Sequence, residues 1–181
     1  MELRLYRPQY HELAFREQLL SDPETMAFNR RKEASPDYHP ESGCIDFPKR
    51  DWPLWYEFWL EKEPDNFYAV LADGRTPIGE INWFFDGETH RVGIILLAKH
   101  RHKGYCAPAL RLLAKTAFEQ HAVPHLSVTL STANTAAVKG FLSAGFQRIR
   151  RGGGTCDLQL TKEGWEKQKN NGISPEKGKP V

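Results

Sequence analysis

The segment Leu96-Leu97-Ala98-Lys99-His100-Arg101-His102-Lys103-Gly104-Tyr105-Cys106 joins an apolar run to an amphipathic one through a short basic turn with one glycine. The run before it, Thr89 to Ala98, is nearly continuous in apolar residues and reads as a strand covered on both faces. The run after it, Gly104 to His121, places Ala107, Leu110, Ala114 and Ala117 along an inward helical stripe. Pro108 falls in or near its first turn, where a missing N–H costs little. Strand, turn and helix together bring backbone N–H groups, a helix N-terminus and cationic side chains to one point, a combination that binds phosphate or diphosphate. Gly104 permits close backbone approach there. A buried strand feeding the turn implies that the rest of a long ligand lies along the sheet.

On the N-terminal side, Glu2 to Arg7 alternates with Leu3 and Leu5 on one face and reads as a strand stopped by Pro8. Gln9 to Leu20 reads as a helix with Leu13, Arg16 and Leu20 on one face, and Ser21 to Arg50 is irregular. Asp51 to Leu60 reads as a helix with Asp51 as N-cap and with Trp52, Trp55, Tyr56 and Trp59 sharing a face. Strands over Asn66 to Ala72, Pro77 to Phe85 and Thr89 to Ala98 follow, separated by Asp73-Gly74 and Asp86-Gly87, and should form an antiparallel meander. Beyond the turn, His125 to Ser131 reads as a strand and Asn134 to Ala144 as a helix closed by Gly145. Phe146 to Arg151 and Thr155 to Leu160 form a hairpin, and Lys167 to Val181 is a polar, frayed tail. The whole is an α/β (α+β) domain over residues 1–166, with a central, mixed, mostly antiparallel sheet flanked by helices.

With 181 residues and a formal net charge of +2, the chain is long enough for one core and demands neither a nucleic-acid nor a membrane partner. The longest apolar run, Val92 to Ala98, is too short to span a bilayer, and Met1-Glu2-Leu3-Arg4 opens directly into a strand rather than a signal peptide. Three cysteines without paired spacing point to reduced thiols and a cytoplasmic home. The pairs His100/His102 and His121/His125 have no nearby cysteine or carboxylate support, so no metal site is expected. Lys99 to Lys103 could serve nucleic acid, but a phosphate-rich small ligand explains that cluster more economically.

Arg101-His102-Lys103-Gly104-Tyr105-Cys106 resembles the central motif of the GNAT superfamily of acyl-CoA-dependent N-acyltransferases: Gln or Arg, two residues, Gly, one residue, then Gly or Ala. Cys106 departs from the small final residue. Asn134-Thr135-Ala136-Ala137-Val138 followed by Gly140-Phe141-Leu142-Ser143-Ala144-Gly145-Phe146 is similar to the family's late helix, and Asp22-Pro23-Glu24-Thr25-Met26 looks like the branch that acetylates protein N-termini and small amines. The likeness runs from about Asn66 to Leu160. It implies acetyl-CoA as acyl donor, a small amine or peptide N-terminus as acceptor, direct attack in a ternary complex, and a fold that often forms homodimers. A non-catalytic acyl-CoA sensor is the alternative, because Phe141 stands where many members place a tyrosine that protonates the leaving thiolate. A tyrosine introduced at Phe141 is therefore expected to raise or preserve turnover.

On this reading Leu96, Leu97, Arg101, His102, Lys103, Gly104, Tyr105, Cys106, Asn134 and Phe141 contact the donor. The diphosphate sits on the turn, pantetheine pairs with an exposed strand edge, and the N–H of Leu96 or Leu97 holds the oxyanion. An amine of pKa about 10 must lose a proton before it attacks. Glu80, mid-strand among apolar neighbours, is the preferred base, with an exposed or salt-bridged strand residue as the plainer reading; His90, where several members keep a glutamate, is the second candidate. The tryptophan-rich helix is either core or, with acids from Glu33 to Asp65, part of a pocket for a cationic amine.

Overall fold

The computed structural model describes residues 2–30, 36–61 and 65–170; Glu33, Glu63 and the tail beyond Asn170 lie outside the described residues. Strand β1 (Leu3–Tyr6) alternates inward and outward as its pattern requires. A single 3-10 turn over Tyr10–Glu12 then leads into α1 (Leu13–Ser21), which turns Leu13 and Leu20 inward. Further along, α2 (Trp52–Tyr56) continues as a π-helical turn over Glu57–Glu61. Asp51 stands at the N-cap of α2, but its side chain makes no capping hydrogen bond.

The meander consists of β2 (Asn66–Asp73), β3 (Thr76–Phe85) and β4 (His90–Leu96). Helix α3 (Cys106–Glu119), strand β5 (His125–Ser131), helix α4 (Thr135–Ser143) and the hairpin β6 (Gln147–Gly152) and β7 (Thr155–Thr161) follow. Gly145, at φ +100°, closes α4 through its N–H on the Leu142 carbonyl. The sheet order is β1-β2-β3-β4-β5-β7-β6. Every pairing is antiparallel except β4 with β5, which is parallel and holds at only two pairs, His90↔Leu126 and Arg91↔Ser127.

One face of the sheet buries Leu71, Ile81 and Trp83 against α3, whose buried stripe is Ala109, Leu110, Leu113, Ala114, Ala117 and Phe118. Ala107, expected in that stripe, is only partly buried at its edge. The other face is covered by α1 and α2, with Leu13, Leu20, Met26, Phe47 and Trp52 in one cluster and Leu60, Tyr68 and Val70 in a second. A further helix, α5 (Lys162–Asn170), takes in the start of the expected tail. Its polar composition hides it from the sequence. Its anchor is Trp165, 2% exposed beside Phe118, and Gln168 Nε2 donates to the Gly145 carbonyl at 2.9 Å. No described helix is long and apolar enough to cross a membrane.

Candidate active site

Beyond Arg91 and Ser127, β4 and β5 no longer pair. A cavity of about 550 Å³ lies along the second half of β4, bounded by the start of α3, by α4 and by residues 25–29. Ile94, Ile95 and Leu96 line it from β4. Leu97 N–H is already spent on the Ile78 carbonyl at 3.0 Å. Successive N–H groups of a strand point to opposite sides, so the N–H of Leu96 faces the side that β5 has vacated. Of the two oxyanion donors expected from the sequence, Leu96 is the one whose geometry suits the role.

The basic turn forms the next wall. A 3-10 turn over Ala98–His100 leads into His102 at φ +59° and Gly104 at φ +81°. Nothing lies within 4 Å of where a Gly104 Cβ would stand, so within the protein it is the left-handed backbone, not crowding, that requires glycine. His102 adopts a similar backbone without that freedom, a local strain of the kind found at ligand clamps. Among the described residues, no acceptor engages the backbone N–H groups of His102 to Cys106. Together with the positive end of α3 they make an anion-binding concavity. Tyr105 fixes its position: the hydroxyl donates to Asp73 Oδ2 at 2.7 Å while Asp73 Oδ1 accepts the Glu2 N–H at 2.7 Å. These two bonds, that from Glu2 first, hold the Asp73 carboxyl below its ordinary pKa.

Arg101 lines the cavity, yet its guanidinium is engaged elsewhere. It donates to the carbonyls of Glu24 (3.0 Å) and Thr25 and lies 5.5 Å from the Phe28 ring centroid. Ala98 N–H donates to Thr25 Oγ1 at 3.0 Å. The turn is thereby latched to residues 24–28, and Thr25, Met26, Phe28 and Asn29 form the cavity's far wall. Burial lowers the Arg101 pKa, while Asp22 and Glu24 oppose that shift.

Cys106, His102, Gly104, Tyr105 and Asn134 also line the cavity, whereas Lys103 and Leu97 do not. Cys106 fits where a smaller residue was expected because α4 presents Gly140 to it; a Cβ on Gly140 would stand 2.5 Å from Cys106 Sγ. Burial pushes the Cys106 thiol up to about 11. Asn134 caps α4, its Oδ1 accepting the Ala137 N–H at 3.1 Å. Phe141 turns away from the cavity: it is 1% exposed and packs edge-on against Phe146 at 5.0 Å in the core. Lys139 and Ser143, not singled out in the sequence, line the cavity with Ala136 and Gly140. Their i, i+3, i+4, i+7 spacing on α4 was the available signal.

Neither candidate base lines the cavity. Glu80 is 1% exposed and ion-paired to Arg16 through Oε1, and its Oε2 accepts the Tyr68 hydroxyl at 2.7 Å. The Arg16 guanidinium lies 4.6 Å from the ring centroid of Trp55, 5.3 Å from Phe47 and 5.5 Å from Tyr68. Burial opposes the guanidinium charge, but the Glu80 carboxylate beside it holds the Arg16 pKa above its ordinary value. Burial and then Glu80 push the Tyr68 phenol well up. His90 starts β4 beside Phe85, with ring centroids 5.1 Å apart, at the end where β4 still pairs with β5. Burial, then His125, lowers its pKa, and its Nδ1 is buried without a partner among the described residues. In the tryptophan-rich segment, Trp52 is core, while Trp55, Tyr56 and Trp59 are half-buried against the second face of the sheet.

A family model described as an acetyltransferase (GNAT) domain matches residues 1–147. The solved spermidine N-acetyltransferase of Vibrio cholerae, in complex with CoA and spermine, aligns with a TM-score of 0.70 at 13% identity, over 91% of this chain and 98% of that one. A GNAT-family acetyltransferase from Bacillus anthracis aligns with a TM-score of 0.64 at 17% identity, over 90% of this chain and 96% of that one. Comparison with curated protein sequences gives no match. At such identities the solved structures speak to the fold.

Proposed function

Because the chain belongs to the GNAT family of acetyltransferases and is an acyltransferase that uses acetyl-CoA, we propose that it transfers acetyl to a primary amine of a small molecule or a protein N-terminus, by direct attack in a ternary complex. The observation that carries this reading is the open side of β4 leading straight into a turn of unpaired N–H groups. We assign the chain through the end of α5 at Asn170, past the expected limit at 166, to the one domain, supported by the packing of Trp165 on Phe118 and by the Gln168 hydrogen bond to Gly145.

In the proposed complex the N–H groups of His102 to Cys106 and the α3 dipole hold the diphosphate, with Lys139 adding charge from α4. Pantetheine amides pair with the free edge of β4. The amine nitrogen attacks the thioester carbonyl, and Leu96 N–H receives the charge of the tetrahedral oxyanion. A donor of this kind is worth about 3–4 kcal/mol of barrier. Collapse breaks the C–S bond, and the thiolate takes its proton from water, since Phe141 lies in the core.

With both oxygens of Glu80 engaged and His90 at the paired end of β4, the amine attacks as the free base and releases its proton to solvent. The rate should then climb with pH toward the amine pKa of about 10, with no earlier plateau. Calorimetry with acetyl-CoA followed by thiol release against an amine panel tests the reading. Heat and thiol release support it; heat without release from any amine favours an acyl-CoA sensor; no heat at millimolar acetyl-CoA overturns it.

A further inference from the structure

Given acetyl transfer to an amine at this cavity, we infer that the acceptor is a monoamine with an apolar flank, and that Arg16 denies the site to polyamines by filling an adjoining cage suited to a cation.

An alkylammonium binds best where aromatic faces converge with a carboxylate. The described residues build such a place beside the acceptor wall: the rings of Phe47, Trp55 and Tyr68, with Glu80 at the base. It adjoins the cavity through Met26 and Ile95, which line the cavity and also pack in the cluster that contains Phe47. In register, Ile95 is the direct β4 partner of Glu80. The cage is already taken, because Arg16 projects from α1 into it and uses its guanidinium both for the ion pair with Glu80 and for the ring faces. A tethered cation thus stands where the second ammonium of a polyamine would otherwise be held.

The cavity wall agrees. No aspartate or glutamate lines it among the described residues. On the acceptor side the wall is Thr25, Met26, Phe28, Asn29 and Ile95, with the Phe28 ring 63% exposed. An apolar group next to the reacting amine covers Phe28 and Met26, whereas a second ammonium finds no counter-charge there.

The test uses the full chain with saturating acetyl-CoA and measures thiol release from 2-phenylethylamine, ethanolamine, spermidine and spermine. The expected result is a kcat/KM for 2-phenylethylamine about tenfold or more above that for spermidine, spermine and ethanolamine. Arg16→Met should then raise the kcat/KM for spermidine by about tenfold, because the rings and Glu80 are freed to hold an ammonium. Should that variant fail to fold, the wild-type ranking alone decides. Spermidine or spermine as the better wild-type substrate overturns the inference while leaving acetyl transfer standing. Absence of acetyl-CoA heat, or of thiol release from every amine, overturns both.

Discussion

Replacing Glu80 by glutamine separates a structural carboxylate from a catalytic one. The side chain keeps its size, but the buried Arg16 guanidinium loses its counter-charge and the Tyr68 hydroxyl loses a charged acceptor. Breaking a buried, hydrogen-bonded ion pair from one side costs about 3–5 kcal/mol. For a chain of this length each kcal/mol lowers the melting temperature by about 2–4 °C, so Glu80→Gln should melt roughly 6–20 °C below wild type. Arg16→Met should cost a similar amount, since it strands the carboxylate instead. The double replacement Arg16→Met with Glu80→Leu exchanges the pair for apolar volume among Phe47, Trp55 and Tyr68, leaving mainly the Tyr68 hydroxyl unpaired at about 1 kcal/mol. It should therefore be more stable than either single change by about 2–4 kcal/mol. Urea and thermal unfolding at pH 7 rank the three variants against wild type, with thiol release followed on the same samples below their melting points. A Glu80→Gln protein with wild-type stability but no turnover would refute this reasoning and return Glu80 to the role of base.

Three further outcomes follow from the cavity walls. Arg101→Gln should leave acetyl-CoA affinity within about threefold of wild type, a change of about 0.7 kcal/mol, because the guanidinium serves the Glu24 and Thr25 carbonyls; the acceptor KM should rise instead, and a tenfold loss of acetyl-CoA affinity by calorimetry would show a phosphate contact. Phe141→Tyr puts a hydroxyl against Phe146 in the core and should lower stability by about 1–3 kcal/mol without raising turnover, in contrast to the gain or neutrality expected from the sequence; a clear rate increase would mean that the side chain reaches the cavity. Cys106, with its thiol held up at about 11 by burial, should alkylate slowly at pH 8, speed up about tenfold per pH unit toward that value, and be shielded by acetyl-CoA; fast, unshielded modification would place it outside the cavity wall.

The basic turn, the meander and the late helix were legible because their signals are local. Gly104 follows a basic run and opens a helix within a few residues, and the two Asp-Gly turns separate strands by short hairpins. The direction of Phe141 was not legible. On α4 the positions Ala136, Ala137, Lys139, Gly140 and Ser143 line the cavity, and Phe141, about 100° further round than Gly140, joins Val138 and Ala144 at the core. Likeness of motif gave the position, and only the roll of the helix against α3 gave the side. Arg101 shows the same limit: its place in the motif predicts a phosphate ligand, while the carbonyls it serves lie more than seventy residues upstream.

By itself, the sequence settled what periodicity and turn chemistry can encode: an antiparallel meander, a glycine-bearing cationic turn and two helices that follow it. Tertiary structure decided where β4 and β5 part, that Cys106 is accommodated by Gly140, and that Glu80 is paired with an arginine sixty-four residues away. The reason is physical. Alternation and helical spacing act over neighbours in the chain, whereas a buried charge is tolerated or not according to the groups that long-range packing brings around it.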